Sequence, residues 1–271
     1  MKPIRVALSG SGFKFPAHVG ALLAIRDAGY TLIEIAGTSG GSIVATLAAC
    51  GMDLEAMKAL TMSRDWSDML TFNLWTLLND KAYCSGNNLL KWLLTNTYGR
   101  TFSMLQTRLV IMASDVSNEA PFEFSQENTP DLEVALAARA SASIPFVYAP
   151  IPLYGAGGAV LLMDGGMCNN IPVDKLTVDA VPRIGIQLTS KTTALPPGDH
   201  SIFSTAPRVV DLMLSSNENT HVDMDEHEGA HFAFIETGFA SGLDRNMNID
   251  TRMKLFNNGY AGAQNALAQI Q

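Results

Sequence analysis

A chain of 271 residues is long enough to bury roughly three-quarters of its unfolded surface in a single domain. Its net charge of −8 argues against binding to nucleic acid and gives no general attraction to an anionic lipid surface. The three cysteines, Cys50, Cys84 and Cys168, form no close pair, so we expect no disulfide framework and a reducing compartment.

The chain opens with a strand, a glycine-bearing loop and a helix. Ile4–Ser9 is an apolar strand, the loop after it contains Gly10 and Gly12, and a helix pattern extends from Pro16 through Asp27. Proline suits the first turn of a helix because the N–H that it lacks would have no partner there. Backbone N–H groups of such a loop can converge on an oxyanion in front of the helix N-terminus.

The same loop could instead bind a dinucleotide, because Gly10-x-Gly12 follows a strand and Glu34 lies about 20 residues further on. The third small position of that fingerprint holds Phe15, whose ring would block close packing of the helix on the strand. A dinucleotide site also gives no reason for a second motif, Gly-x-Ser-x-Gly at residues 37–41, which the next strand and helix flank.

A second strand and helix, Thr31–Ala36 and Ser42–Cys50, flank the motif Gly37-Thr-Ser39-Gly-Gly41. A Gly-x-Ser-x-Gly pentad in a strand-to-helix turn is the nucleophile elbow, in which a strained serine projects its hydroxyl clear of the sheet. Glycines on both sides let the strand and the helix approach each other closely. Ser39 is therefore the candidate nucleophile, and an ordinary glycine-rich loop is the alternative.

All three tryptophans lie between Trp66 and Leu94, among many leucines. Asn88–Thr95 has the apolar crowding of a buried helix, so plain core is the simplest interpretation there. Polar residues interrupt the pattern in Trp66–Leu78, so a buried helix is a weaker interpretation there. The apolar side chains of this stretch are therefore the candidates for contact with a membrane.

The rest of the chain continues the alternation of strands and helices. Strands are predicted at Arg108–Asp115, Val160–Met163, Arg183–Leu188 and His231–Glu236, and helices near Asp131–Ala140, Pro207–Ser216 and Ile249–Ala268. This order predicts an α/β fold with a mostly parallel sheet covered by helices on both faces. No linker, low-complexity run or internal repeat divides the chain, so we expect one domain over residues 1–271.

A further pattern, His227-Glu-Gly-Ala-His231, matches H-E-x-x-H, which on a helix holds zinc between two imidazoles. Gly229 weakens a helix there, and residues 231–236 alternate like a strand. His221 and the carboxylates around it are more typical of an acidic solvated loop. We therefore expect no catalytic metal and no cofactor.

No run of about 18 apolar residues occurs, and the N-terminus lacks the apolar region of a signal peptide. The sequence therefore predicts a cytoplasmic protein, although secretion without an N-terminal signal would leave no trace in it.

The strand that begins near Val160 ends in an acid and two glycines. Together with the two earlier glycine motifs, this Asp-Gly-Gly motif resembles the motifs of the patatin-like phospholipase family in their order and spacing. The three motifs are Gly10–Lys14, Gly37–Gly41 and Asp164–Gly166. Ala138–Pro145, ahead of the acid, and Gly259-Tyr260, in the last predicted helix, are also similar to the family. The resemblance covers most of the chain and implies a three-layer α/β/α fold.

Residue by residue, the resemblance implies that Ser39 is the nucleophile and Asp164 the general base of a Ser-Asp dyad. The residues that it assigns to the oxyanion hole are Gly10, Ser11, Gly12 and Lys14, the last as the basic position of that loop. The glycines that would support the elbow and the acid loop are Gly37, Gly40, Gly41, Gly165 and Gly166. Ser11 and Phe15 stand where the family usually has glycine. A backbone N–H survives a change from Gly to Ser, so we expect the hole to be kept.

The implied activity is release of fatty acid from a glycerolipid or a simpler carboxylic ester through an acyl-serine intermediate. In such an enzyme Trp66–Leu94 would line the acyl channel or form a lid, and Trp66–Leu78 would contact a membrane. A Ser-Asp-His triad, with Asp115 as orienter and a late histidine as base, is the alternative mechanism, although it leaves Asp164 unexplained. A lipid-binding module without turnover is the alternative function. The sequence does not indicate the preferred lipid or the oligomeric state.

Overall fold

The computed structural model describes residues 1–155, 158–190, 222, 225–226 and 228–270. Within these residues, eight strands form one sheet. The strands are β1 (Lys2–Leu8), β2 (Tyr30–Thr38), β3 (Arg108–Asp115), β4 (Ala120–Phe124), β5 (Ile151–Gly155), β6 (Gly158–Asp164), β7 (Arg183–Thr189) and β8 (His231–Glu236). The α-helices are α1 (Phe15–Asp27), α2 (Gly40–Ala49), α3 (Leu54–Ser63), α4 (Leu74–Asp80), α5 (Asn87–Thr97), α6 (Val134–Ser141) and α7 (Ile249–Leu267). Short 3-10 helices occur at Ser67–Met69, Phe102–Met104, Gly165–Met167 and Val173–Lys175.

Each strand in the path β5-β6-β3-β2-β1-β7-β8 is hydrogen-bonded to the next, and β4 also pairs with β3. The five strands β3, β2, β1, β7 and β8 are parallel, whereas β4, β5 and β6 join by antiparallel pairing. Helices flank this sheet, which confirms the predicted α/β class. The helix predicted near 207–216 lies outside the described residues.

Four elements carry too little local signal to be predicted: β4, β5, α3 and α4. Proline interrupts both strands, at Pro121 and Pro152, and proline removes a donor from the ladder that a strand needs. In α3 only Met57 and Thr61 are buried, so no apolar stripe marks the helix. The apolar side chains of α4 are mostly exposed, which hides the pattern that core packing imposes elsewhere.

Side chains of β1 alternate between two hydrophobic clusters. Val6 and Leu8 belong to the larger cluster, and Ala7 belongs to the smaller one, because successive side chains of a strand point to opposite faces. Beside the larger cluster, α1 packs closely against α7 at Gly20 and Gly259. A Cβ at either glycine would collide with the backbone of the facing helix, so the two helices touch backbone to backbone there.

The register of β3 brings the ends of β2 and β6 together. Met112 pairs with Thr38, the last residue of β2, and Ala113 pairs with Asp164, the last residue of β6. Since β4 pairs with both Met112 and Ala113, it must occupy the other edge of β3. β2 runs parallel and β6 antiparallel to β3, so their ends meet head to head along one edge. Ser39, directly after β2, therefore comes to lie beside Asp164.

The tryptophan-rich segment divides into a buried and an exposed part. Trp66 and Met69 are buried, as are Leu89 and Leu93 of α5, which agrees with core packing of one face of this helix. Most apolar side chains of α4 are exposed to solvent instead. In the part of the chain that the structure describes, no helix has both the length and the apolar character needed to cross a bilayer.

Candidate active site

Ser39 lies between β2 and α2 in a strained backbone conformation. Its φ of 52° and ψ of −127° are rarely adopted by a residue that has a side chain. The glycine loop packs directly against this turn. A Cβ on Gly40 would collide with the carbonyl of Gly12, and a Cβ on Gly41 would collide with the carbonyl of Ser9. Only glycine fits such an approach, and the local geometry is therefore that of a nucleophile elbow.

Three hydrogen bonds with other side chains hold Ser39, which is only 1% exposed. Its Oγ donates to Oδ2 of Asp164 at 2.6 Å. Its backbone N–H donates to Oγ of Ser141 at 2.8 Å, and its carbonyl accepts from Oγ of Ser42 at 2.6 Å. The hydroxyl proton of Ser39 is thus directed at a carboxylate oxygen.

Asp164 is buried as deeply as Ser39, and both of its carboxylate oxygens accept hydrogen bonds. Oδ2 accepts from Ser39, and Oδ1 accepts from the backbone N–H of Gly166 at 2.9 Å. Burial raises the pKa of Asp164 to about 6, although these two hydrogen bonds act to lower it. Gly165 keeps the turn tight, because a Cβ there would collide with the carbonyl of Met112. The carboxylate is ionised at neutral pH yet basic enough to take up a proton during a reaction.

The glycine loop offers amides beside Ser39, with one correction to the expected set. The N–H of Gly10 donates to Asn170, to its carbonyl oxygen at 3.0 Å and to its Oδ1 at 3.2 Å. It is therefore not available to an oxyanion. Among the described residues, the N–H groups of Ser11, Gly12 and Gly40 have no protein acceptor, the last because the first amides of a helix have no partner within it.

Two buried side chains of the site, Ser141 and Asn170, have no role in the sequence interpretation. Asn170 follows the acid loop and occupies the amide of Gly10, and Ser141 ends α6 and occupies the amide of Ser39. A signal for Ser141 does exist in the sequence. It is a serine at the end of an alanine-rich helix that buries almost every residue, where a hydroxyl needs a hydrogen-bond partner.

Lys14 and His18 tie the glycine loop to its surroundings. Nζ of Lys14 donates to the hydroxyls of Ser190 and Thr237, at 3.0 Å each, directly after β7 and β8. Nε2 of His18 lies 2.8 Å from the carbonyl oxygen of Ser9. Burial lowers the pKa of His18 to about 4, so the neutral ring donates this hydrogen bond. A direct part for Lys14 in an oxyanion hole stays a prediction.

The described part of the chain does not assemble the alternative triad. His231 begins β8, at the opposite end of the parallel strands from Ser39, which follows the end of β2. Asp115, the orienter in that triad, accepts hydrogen bonds from Ser117 and Asn118 in the turn after β3. The other late histidines, His200, His221 and His227, lie outside the described residues.

The H-E-x-x-H pattern does not have the helical context that zinc binding through it requires. Residues 228–229 form a turn, and His231 begins β8. His227 lies outside the described residues. In the remainder, no cluster of three or more potential metal ligands occurs.

An apolar pocket opens next to Ser39. The side chains that line it are almost all apolar: Phe13, Phe15, Ile43, Trp66, Met69, Leu89, Trp92, Ala142, Ile144 and Tyr148. The ring of Phe15 packs against those of Phe13 and Trp66, with centroids 5.6 and 5.1 Å away, and narrows the space. The free volume is about 30 Å³, which is room for water rather than for an acyl chain.

An exposed apolar patch involves α4 and the segment that follows Ile144. Its residues are Phe72, Leu74, Trp75, Leu77, Leu78, Tyr83 and Phe146. The rings of Phe72 and Tyr83 are 5.4 Å apart, and the N–H of Tyr83 donates to the carbonyl of Phe146 at 2.9 Å. Ile144 and Tyr148, which flank Phe146 in the chain, line the pocket. The patch thus includes a residue of the segment that also lines the pocket, and exposed apolar surface of this kind commonly marks an interaction site.

A family model described as patatin-like phospholipase matches residues 6–177 of the chain. An uncharacterised protein of Acanthamoeba polyphaga mimivirus is 29% identical over 238 residues, covering 80% of this chain and 77% of that protein. A probable lipid hydrolase of Invertebrate iridescent virus 6 is 27% identical over 184 residues, covering 62% and 61% of the two chains. Among solved structures, VipD from Legionella pneumophila matches with a TM-score of 0.63 at 14% identity, over 99% of this chain and 67% of VipD. The likeness to VipD concerns the fold.

Proposed function

Because the chain belongs to the patatin-like phospholipase family, we propose that it hydrolyses acyl esters of lipids through a dyad of Ser39 and Asp164. The observation that carries this proposal is the hydrogen bond of 2.6 Å from Ser39 Oγ to Asp164 Oδ2. A buried carboxylate whose pKa is about 6 can accept the hydroxyl proton directly, so no histidine is needed between the two groups.

In the first half of the reaction, Asp164 takes the proton of Ser39 as Oγ attacks the carbonyl carbon of the ester. Negative charge develops on the carbonyl oxygen, and the N–H groups available to stabilise it are those of Ser11, Gly12 and Gly40. When the tetrahedral intermediate collapses, the ester C–O bond breaks, and the proton passes from Asp164 to the departing alcohol oxygen. The acyl group is then bound to Ser39.

In the second half, water replaces the alcohol. Asp164 accepts a proton from this water as the water oxygen attacks the acyl carbonyl carbon, and the same amides stabilise the new oxyanion. The bond to Ser39 Oγ then breaks, and Oγ recovers the proton from Asp164. The products are free fatty acid and the enzyme in its starting state.

The apolar pocket is the proposed place for the acyl chain. It begins at Ser39 and is lined by aromatic and aliphatic side chains, which match a hydrocarbon. Its small free volume implies that Phe15 and its neighbours move aside when substrate enters. The same apolar lining suits acyl chains of simple esters, so a soluble p-nitrophenyl ester is a suitable reporter of the chemistry.

The apolar patch is the proposed contact with the lipid surface. Phe146 of the patch lies in the chain between Ile144 and Tyr148, which line the pocket, so docking there would bring the segment that lines the pocket to the lipid. With a net charge of −8, attraction to an anionic surface cannot supply the binding energy, and apolar burial must do so.

A labelled alkyl fluorophosphonate tests the proposed nucleophile, because it bonds covalently only to an activated serine. We expect one label per chain, located on Ser39 by peptide mass spectrometry, and none on the Ser39→Ala variant. Mass spectrometry of products from mixed phospholipids and neutral glycerolipids then identifies the ester that is cleaved. An unlabelled Ser39 in a protein that binds lipid vesicles would contradict hydrolysis and indicate a lipid-binding module.

A further inference from the structure

We propose that Ser141 is a positioning residue for this site. Its hydroxyl accepts a hydrogen bond from the amide of Ser39 and thereby keeps the Ser39 hydroxyl hydrogen-bonded to Asp164. The inference rests on the proposed function, because it assigns a part in the same reaction. It concerns a residue that neither touches the ester nor transfers a proton.

Ser141 sits at the point where three elements meet. It is the last residue of α6 and is fully buried. Its Oγ accepts from the N–H of Ser39 at 2.8 Å and donates to the carbonyl of Met112 at 2.6 Å. Met112 in turn pairs with Thr38, the residue before the elbow. One hydroxyl therefore links the end of α6, the middle of β3 and the nucleophile.

The elbow needs this hydroxyl because the regular sheet ends one residue too early for Ser39. The ladder between β2 and β3 stops at Thr38 and Met112, and the positive φ of Ser39 turns its N–H out of the ladder. A buried N–H without an acceptor is strongly disfavoured. Ser141 supplies the acceptor, and with it the strained turn is held without an unpaired donor.

The same end of α6 also holds the acid. The carbonyl of Ser143, two residues after Ser141, accepts from the N–H of Asp164 at 3.0 Å. Nη1 of buried Arg139 donates to Oγ of Ser143 at 2.6 Å and helps to fix this segment. One short segment thus bonds to the backbone of both Ser39 and Asp164, and it sets how far apart their side chains lie.

A second consequence concerns the oxyanion hole. Because Ser141 occupies the N–H of Ser39, that amide is not available to the carbonyl oxygen of the substrate. The available donors are then those of Ser11, Gly12 and Gly40, which lie in the glycine loop and at the start of α2. Ser141 therefore commits the N–H of Ser39 to positioning and leaves the N–H groups of Ser11, Gly12 and Gly40 to bind the oxyanion.

Two variants separate the hydrogen bond from space filling. Ser141→Ala removes the acceptor and part of the volume, whereas Ser141→Cys keeps the volume but offers only a weak acceptor. Ser125→Ala is the matched control, because Ser125 is equally buried and its Oγ also accepts a backbone N–H, from Asn128 at 3.3 Å, in the turn after β4.

We expect kcat for a soluble p-nitrophenyl ester to fall roughly 10- to 100-fold in both Ser141 variants, with KM changed less than about twofold, since the lost interaction orders the reacting groups. The acid limb of the rate profile should move to higher pH. A misplaced Ser39 no longer donates its hydroxyl hydrogen bond to Asp164, and that bond lowers the pKa of Asp164. Ser125→Ala should leave kcat and the pH profile unchanged.

Two results would overturn the inference while leaving the dyad intact. The first is full activity of Ser141→Cys, whether or not Ser141→Ala is impaired. The second is a fall in rate that only tracks the fraction of folded protein, with the acid limb unmoved. Circular dichroism gives the folded fraction for each variant. Failure of the dyad itself is seen separately, as retention of activity by Ser39→Ala.

Discussion

The hydroxyl oxygen of Ser39 lies 2.6 Å from Oδ2 of Asp164, although 125 residues separate the two in the chain. They meet because β2 and β6 reach the same edge of β3 from opposite directions, and each residue stands at or just after the end of its strand. The chemistry proposed for this protein depends on that junction.

Replacing the nucleophile tests its assignment. Ser39→Ala should lower turnover of a short p-nitrophenyl ester by roughly 10⁴-fold or more, as loss of a nucleophile does in serine hydrolases. The fold should survive, because alanine removes only one hydroxyl from the elbow. Steady-state kinetics at neutral pH and circular dichroism measure the two effects. Activity within tenfold of the parent would show that another group attacks the ester.

Replacing the acid distinguishes the dyad from a triad. Asp164→Asn keeps the shape of the side chain but removes the base, so turnover should fall roughly 10³-fold or more. No single alanine replacement among the late histidines should do the same. These histidines are His200, His221, His227 and His231. One inactive histidine variant beside an active Asp164→Asn would establish the triad.

The pH dependence follows from the raised pKa of Asp164. The carboxylate must be ionised to accept a proton, so kcat/KM should rise with pH and reach half of its plateau near pH 6, where the buried acid titrates. A rate profile between pH 4 and 9 with a soluble ester shows this limb. A plateau that extends unchanged down to pH 4 would exclude Asp164 as the base.

The same raised pKa predicts a cost in stability. The folded protein holds the proton of Asp164 up to about pH 6, whereas the unfolded chain loses it near the ordinary value of 3.8. The ionised carboxylate therefore disfavours the folded state, and this contribution is complete above pH 6. Asp164→Asn should raise the free energy of unfolding at pH 8 by up to about 3 kcal/mol. The gain is smaller by the cost of one lost hydrogen bond, because asparagine has one acceptor oxygen where both carboxylate oxygens of Asp164 accept.

Urea unfolding at pH 8 and at pH 4 measures this effect. At pH 4 the folded-state carboxyl is protonated in the parent protein, so the gain from Asp164→Asn should largely disappear. An equal gain at both pH values would mean that it does not come from the charge.

The apolar patch predicts a separable membrane function. Trp75 on α4 is 75% exposed, and Tyr154 on β5, outside the patch, is 78% exposed. Trp75→Ser should weaken binding to phosphatidylcholine vesicles roughly tenfold, because a large apolar side chain no longer enters the lipid. Tyr154→Ser, the matched control, should bind as the parent does. Both variants should hydrolyse a soluble ester at the parent rate, and vesicle co-sedimentation shows the difference.

Equal loss of binding in the two variants would indicate a general effect of surface aromatic residues. No loss in either would place the lipid contact elsewhere on the molecule.

Local patterns were sufficient for most of the sheet. β1, β2, β3 and β7 are apolar runs between turn residues, and a run of that kind is stable as a buried strand in almost any parallel sheet. β8 instead alternates between buried and exposed side chains, which is also a local pattern of a strand. β7, β8 and α7 lie beyond the residues that match the family model, yet β7 and β8 pair into the same sheet. The proposal of one domain agrees with this arrangement.

The candidate site was predictable only in part. The strained turn at Ser39 is encoded by adjacent glycines, so it could be recognised from five residues. The amide of Gly10 could not be excluded from the oxyanion hole in this way, because its acceptor, Asn170, comes from a distant part of the chain. The division of Trp66–Leu78 into buried and exposed halves was equally hidden, since exposure depends on which other elements cover it.

The sequence alone singled out the residues proposed to carry the chemistry, Ser39 from a glycine-flanked pentad and Asp164 from the resemblance to a family. Only the tertiary structure decided that these two groups touch, which nearby amides have no protein acceptor among the described residues, and which hydroxyl accepts a hydrogen bond from the amide of Ser39. Those outcomes depend on the register of β3 against two strands and on the end of α6. Burial then sets the proton affinity of Asp164, since the cost of a buried charge depends on everything packed around it.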